Sequence, residues 1–91
     1  MTSTLEHQIA LRHIRRQNLP PTLLHHLLDR IQSRRISTEQ LGLLADWLDT
    51  QPKVPTSKWF KRFPGMTVCG EGELVKTFLL PGQAVEGHEI A

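Results

Sequence analysis

The sequence has few of the features that mark a secreted, membrane-spanning or catalytic protein. It contains a single cysteine, Cys69, so no disulfide can form within the chain. The leucine-rich stretch from Leu23 to Leu28 is interrupted by His25 and His26, and it is too short for a membrane span or a signal-peptide core. We therefore expect a cytoplasmic protein that does not enter a membrane.

Motifs for catalysis and metal binding are also missing. There is no tyrosine, and no GxSxG, Walker-type, CxxC, HExxH or HxH pattern occurs. His25 and His26 are adjacent on a predicted helix and point about a third of a turn apart, so they cannot chelate one ion together. No catalytic signature surrounds Cys69, and a lone cysteine is more often a small buried hydrophobe. We expect no enzyme activity, no metal and no cofactor.

The residues that are present suit one small globular domain over residues 1–91. A chain of 91 residues, 38% hydrophobic and 22% charged, can bury one modest core. Its charge is uneven, because residues 1–62 hold ten Lys or Arg against five Asp or Glu, whereas residues 63–91 hold one Lys against four Glu. This pattern fits either a solvated surface or a basic face offered to an acidic partner.

Apolar spacing predicts a helical part over residues 5–50 with three helices. The first covers residues 5–17, where Ala10, Leu11 and Ile14 share one face. Pro20-Pro21 ends it and can begin the second, whose apolar stripe is Leu23, Leu24, Leu27, Leu28 and Ile31. Ser37 and Gln40 form the capping box of the third, which Pro52 stops.

Residues 51–63 are predicted to hold a linker and one short helical turn, Lys58 to Phe63. On such a turn the aromatic and cationic side chains separate to opposite sides: Trp59, Phe60 and Phe63 on one, Lys58, Lys61 and Arg62 on the other. The aromatic side chains then anchor the turn to the core beneath solvated cations. Alternatively the cations bind a partner, and an exposed Trp59 is a binding hot spot.

The β part is predicted over residues 66–90. Met66 to Cys69 and Leu74 to Leu80 have strand character, Gly70 to Glu73 suits a hairpin loop, and Pro81-Gly82 suits a type II turn. A third strand around His88 to Ile90 is expected to return beside the second. The overall prediction is an α+β fold, with a two- or three-stranded antiparallel meander packed on the helices.

The favoured functional interpretation is a non-catalytic protein that binds another protein with an acidic surface. In size and build the chain resembles small phage-encoded inhibitors, immunity proteins and antitoxin-like accessory factors, and this likeness implies protein binding. The predicted contact surface is Lys58, Trp59, Lys61 and Arg62, with a second patch at Arg12, Arg15 and Arg16.

Two alternatives remain open. Three helices followed by a hairpin is a winged-helix layout, in which Lys58, Lys61 and Arg62 would contact nucleic-acid phosphates. Against it, the recognition element is short, and Glu71 and Glu73 at the wing tip would repel DNA. The second alternative is a homodimer, because both faces of the Val75–Leu80 strand have apolar residues that a second copy would cover.

Overall fold

The computed structural model describes residues 11–91. Two helices and six strands occur in this range, in the order β1 (Leu11–His13), α1 (Pro21–Ser33), α2 (Thr38–Asp49), β2 (Lys53–Pro55), β3 (Lys58–Phe63), β4 (Met66–Glu71), β5 (Leu74–Leu79) and β6 (His88–Glu89). The predicted α+β class is confirmed. The prediction of three helices and a further helical turn is wrong.

Both helices begin where the sequence indicates. Pro20 is the N-cap of α1, and its C=O accepts a hydrogen bond from the Leu24 N–H at 3.0 Å. At α2 the Ser37 hydroxyl accepts from the Gln40 N–H at 3.2 Å. The Gln40 side chain does not complete the capping box but accepts from the Gly65 N–H at 2.9 Å. This bond ties α2 to the loop between β3 and β4.

Residues 11–17 of the predicted first helix are not helical, and residues 5–10 lie outside the described range. Leu11–His13 forms β1, antiparallel to β2, with Arg12 opposite Val54. The Arg15 N–H donates to the Glu73 C=O at 2.6 Å. These bonds join residues distant in sequence, which local helical periodicity cannot anticipate.

The predicted helical turn at Lys58 to Phe63 is strand β3. It pairs with β4 along its whole length, from Lys58 opposite Glu71 to Phe63 opposite Met66, and Pro64-Gly65 is the two-residue connection. A helix of fewer than two turns gains few hydrogen bonds for the cost of nucleation. Aromatic side chains favour the pleated surface of a sheet, and the extended form pairs the segment with β4 along its length.

The main sheet has four strands in the order β5-β4-β3-β6. Strands β3, β4 and β5 form an antiparallel meander, and β6 lies parallel to β3 on its outer side. The expectation that the third strand returns beside β5 is therefore wrong. The Pro81-Gly82 turn is confirmed, since Gly82 has φ +89° and the Gln83 N–H donates to the Leu80 C=O at 3.2 Å.

The two faces of this sheet have different cover. The first face packs against the helices and forms the core, in which Trp59, Met66 and Val68 have no exposed surface. On the second face, Phe60 is only 6% exposed yet lies outside that core. The connection from β5 to β6, residues 80–87, runs beside this second face, where its residues line clefts with those of β3 and β4.

Candidate functional site

Trp59 is a structural residue in the centre of the first face. Its indole lies over Gly70, where an added Cβ would be 2.1 Å from the ring. The indole N–H donates to the Gly72 C=O at 2.9 Å. With no exposed surface, Trp59 cannot serve as the exposed hot spot that the sequence suggests. Its role is to fix the register of β3 against β4.

Four of the six cations in the predicted contact surface are paired within the chain. Lys58 Nζ lies 2.9 Å from the Glu86 carboxylate, and Arg62 Nε lies 3.6 Å from Glu89. The two other pairs are Arg15–Glu73 at 3.8 Å and Arg16–Asp49 at 2.7 Å. Three of the four carboxylates come from the acidic segment 63–91. Folding thus brings the opposite charges of the two regions together.

The Lys58–Glu86 pair has a visible effect on ionisation. The hydrogen bond from Lys58, and then its charge, lower the pKa of the Glu86 carboxyl, and the same contact raises the pKa of Lys58. Both side chains remain exposed to water. Such surface pairs add little stability, and this one connects Glu86, shortly before β6, with Lys58 at the start of β3.

The seven predicted site residues do not form one surface. Alternation along β3 places Lys58 and Arg62 on the second face of the sheet and Lys61 on the first. Arg12 belongs to β1. The winged-helix layout is also not observed, because the segment expected to be its recognition helix is a central strand of the sheet.

Lys61 belongs to a cluster on the helical side that we call the aromatic–cationic patch: Leu43, Trp47, Lys61 and Phe63. The rings of Trp47 and Phe63 are 6.1 Å apart at 76°, an edge-to-face contact. Lys61 Nζ lies 5.8 Å from the centre of each ring. All three residues are half-buried. Leu43 lies one helical turn before Trp47 and is 37% exposed.

Leu43 and Trp47 were missed as site residues by the sequence reasoning. Both flank the apolar stripe of α2. A tryptophan beside such a stripe indicates that the helix has a second contact, outside the surface that packs on the core. The neighbouring Phe63 was assigned to a helical turn, so the cross-element contact with Trp47 was not visible.

Cys69 lines a second-face groove of about 340 Å³ together with Lys58, Glu71, Thr77 and Glu86. Burial raises the pKa of its thiol, which disfavours the reactive thiolate at neutral pH. Within residues 11–91, no three metal-ligating side chains come together. Neither helix in that range has the length and apolar content needed to cross a membrane.

Comparisons with protein-family models, with curated proteins and with solved structures give no match to this chain.

Proposed function

We propose that this chain is a non-catalytic protein-binding module and that its aromatic–cationic patch is the contact surface. The observation that carries the proposal is the pair of half-buried rings, Trp47 and Phe63, in edge-to-face contact beneath Lys61. Tryptophan and cationic side chains are typical of the few residues that dominate binding energy in protein interfaces.

The charges support an acidic partner at this patch. Unlike Lys58 and Arg62, Lys61 has no carboxylate within ion-pair distance in the part of the chain that the structure describes. Its ammonium group is held over the two rings instead. A carboxylate from a partner would therefore meet a positioned cation with no competing pair to break.

The apolar part of the patch supports a protein partner over nucleic acid. Leu43 adds exposed aliphatic surface beside the rings. Phosphate binding needs several free cations on one side, whereas folding pairs Lys58 and Arg62 with Glu86 and Glu89. A small apolar centre with a cation at its edge resembles a protein–protein interface more than a phosphate-binding surface.

The test begins with the full chain immobilised and exposed to proteins of its host, with identification of the retained protein by mass spectrometry. Binding of that purified protein is then measured by calorimetry for the wild type, Leu43→Asp and Lys61→Glu. Each patch variant should weaken Kd by about tenfold or more, as expected for loss of a hot-spot contact.

Matched controls are Leu28→Asp and Arg12→Glu, which change an exposed leucine on α1 and an exposed arginine on β1. Both should leave Kd within about twofold of the wild type, a change of less than about 0.5 kcal/mol. Equal weakening by controls and patch variants would refute the proposed surface. Retention of DNA or RNA with a steep salt dependence would favour the nucleic-acid alternative instead.

A further inference from the structure

The outer edge of β3 is only partly paired. Strand β6 pairs with Trp59 and Phe60, and the Ile90 N–H donates to the Phe60 C=O at 2.8 Å. Alternate residues of a strand present their backbone groups to the same edge. The N–H and C=O of Arg62 therefore point to the same side as those of Phe60, and within residues 11–91 they have no backbone partner there.

Each face beside this open edge has its own chemistry. Beside Arg62 on the second face is a cleft of about 270 Å³, which is lined by Arg62, Phe63, Thr67, Pro81 to Gln83 and Val85. On the first face, Phe63 and Lys61 belong to the aromatic–cationic patch. A strand added here would place alternate side chains in these two settings.

Strand β6 shows what side chains this edge accepts. Glu89 lies opposite Phe60, on the second face, and its carboxylate is 3.6 Å from Arg62 Nε. The next residue, Ile90, points to the other face and packs against the core. The chain's own edge strand thus places an acidic residue toward the second face and an apolar residue toward the first.

From this arrangement we infer that the β3 edge binds an extended segment of a partner protein, in which acidic and apolar residues alternate. The segment adds a strand beside Arg62, and its backbone pairs with the Arg62 N–H and C=O. A carboxylate of the segment lies at Arg62, and its apolar side chains contact Phe63. Since β6 is only two residues long, a longer segment replaces it on the edge.

Charge argues against a second copy of this chain as the occupant. Antiparallel pairing of two β3 edges around Arg62 would bring the Lys61 and Arg62 side chains of both copies together. Like charges directly opposite one another destabilise a strand pair. An acidic segment gains attraction at the same positions.

The inference rests on the proposed function, because it names the partner chemistry of the surface next to the patch. It is tested on the ¹⁵N-labelled full chain with a capped pentapeptide in which two glutamates alternate with three β-branched apolar residues. The matched control peptide has lysine in place of each glutamate. Amide hydrogen exchange at Arg62 and Ile90 is followed by NMR as each peptide is added.

Strand addition should slow exchange of the Arg62 amide severalfold and speed exchange of the Ile90 amide, since the bond to Phe60 is lost. The lysine peptide should do neither. Arg62→Glu should weaken binding of the glutamate peptide about two- to fivefold, the range expected for an exposed ion pair, and Arg12→Glu should not.

Unchanged exchange at Arg62 with the glutamate peptide, or equal effects of both peptides, would overturn the inference. The proposed function is tested separately, by the dependence of partner binding on Leu43 and Lys61. If that dependence holds while Arg62 stays unprotected, the module binds a partner without strand addition. If it fails, the aromatic–cationic patch is refuted as the contact surface, whatever the result at Arg62.

Discussion

The two faces of the β-sheet use the same strands for different purposes. The first face is closed by two helices, and its central residues Trp59, Met66 and Val68 are completely buried. The second face is flanked by residues 80–87, and Glu86 of this segment forms an exposed ion pair with Lys58. Clefts remain between the segment and strands β3 and β4, so the second face is partly open to water. Because side chains alternate along a strand, the six residues of β3 contribute side chains to both faces.

This difference concerns how each face is packed and how much of it is open to water. The first face provides the core, and one large aromatic residue, Trp59, fixes strand register there. The second face and the outer edge of β3 keep polar groups within reach of solvent. The homodimer alternative stays a prediction, because it depends on the apolar residues of Val75–Leu80, of which Leu80 is 41% exposed. Light scattering tests this point directly.

Truncation of the buried aromatic residue on each face should cause the largest loss in the free energy of unfolding. Trp59→Ala should lower the free energy of unfolding by about 3–5 kcal/mol, because it leaves a cavity in closed packing and removes the bond to Gly72. Phe60→Ala should cost about 3 kcal/mol, at the low end of the range for a buried aromatic residue, since the partly open second face can relax into the space. Urea unfolding measures both. Equal losses would show that the two faces are packed alike.

Filling the space beneath the indole should have the next largest effect. Gly70→Ala places a methyl group 2.1 Å from the Trp59 ring, so the ring or the strand must move. We expect a loss of about 1–3 kcal/mol, typical of overpacking. Tryptophan fluorescence should report the displaced indole.

Gly42 provides the matched control for this change. It lies at an exposed position of α2, where an added Cβ would meet no atom within 4 Å. Gly42→Ala should therefore stabilise the protein by about 0.5–1 kcal/mol through the helix propensity of alanine. Stability unaffected by Gly70→Ala would mean that the Trp59–Gly70 contact does not restrain the sheet.

Cysteine chemistry tests how open the second face is. Burial raises the pKa of the Cys69 thiol, so less thiolate is present at a given pH. Alkylation by iodoacetamide at pH 8 should be slower than that of free cysteine, should accelerate as pH rises, and should reach the free rate in denaturant. Mass spectrometry follows the modification. A native rate equal to that of free cysteine would contradict the burial of this side chain.

The smallest effect concerns the Lys58–Glu86 pair at the edge of that face. Because the folded pKa of Glu86 is lowered, its contribution to stability is present at neutral pH and is lost as pH falls through that folded value. Because the folded pKa of Lys58 is raised, its contribution is lost only as pH rises through that value. NMR titration of the Glu86 carboxyl should show the low pKa.

Lys58→Met is the control for this titration, since methionine keeps much of the side-chain length without the charge. The pKa of Glu86 should return toward its ordinary value in this variant. Thermal unfolding near pH 7 should change little, because both partners are exposed. An unchanged Glu86 pKa would show that the pair does not persist in solution.

Sequence reasoning succeeded where the signal is local. Pro20 and Ser37 mark the starts of α1 and α2, and Pro81-Gly82 marks a turn. It failed at Lys58 to Phe63, where aromatic and basic residues fit a helical turn and a strand equally well. The informative signal was Pro64-Gly65, which separates two strand-like runs by the length of a tight hairpin loop.

The candidate site was predicted only in part. Lys61 remains in it, Trp59 leaves it because it is buried, and Leu43 and Trp47 enter it from another element. A bulge adds to the difficulty in β5, where Lys76 lies between the residues paired with Cys69 and Gly70. It breaks the simple alternation of faces along that strand.

The residue pattern alone determined the α+β class, the two helices and the β4–β5 hairpin, because caps, turns and apolar periodicity act over a few neighbouring residues. Only the tertiary structure decided that Lys58–Phe63 is a strand, that β6 lies parallel beside it, and which cations stay unpaired. These features depend on partners far away in the chain: Gly70 for Trp59, Glu86 for Lys58 and Glu89 for Arg62. Long-range pairing of this kind leaves no periodic trace in either segment.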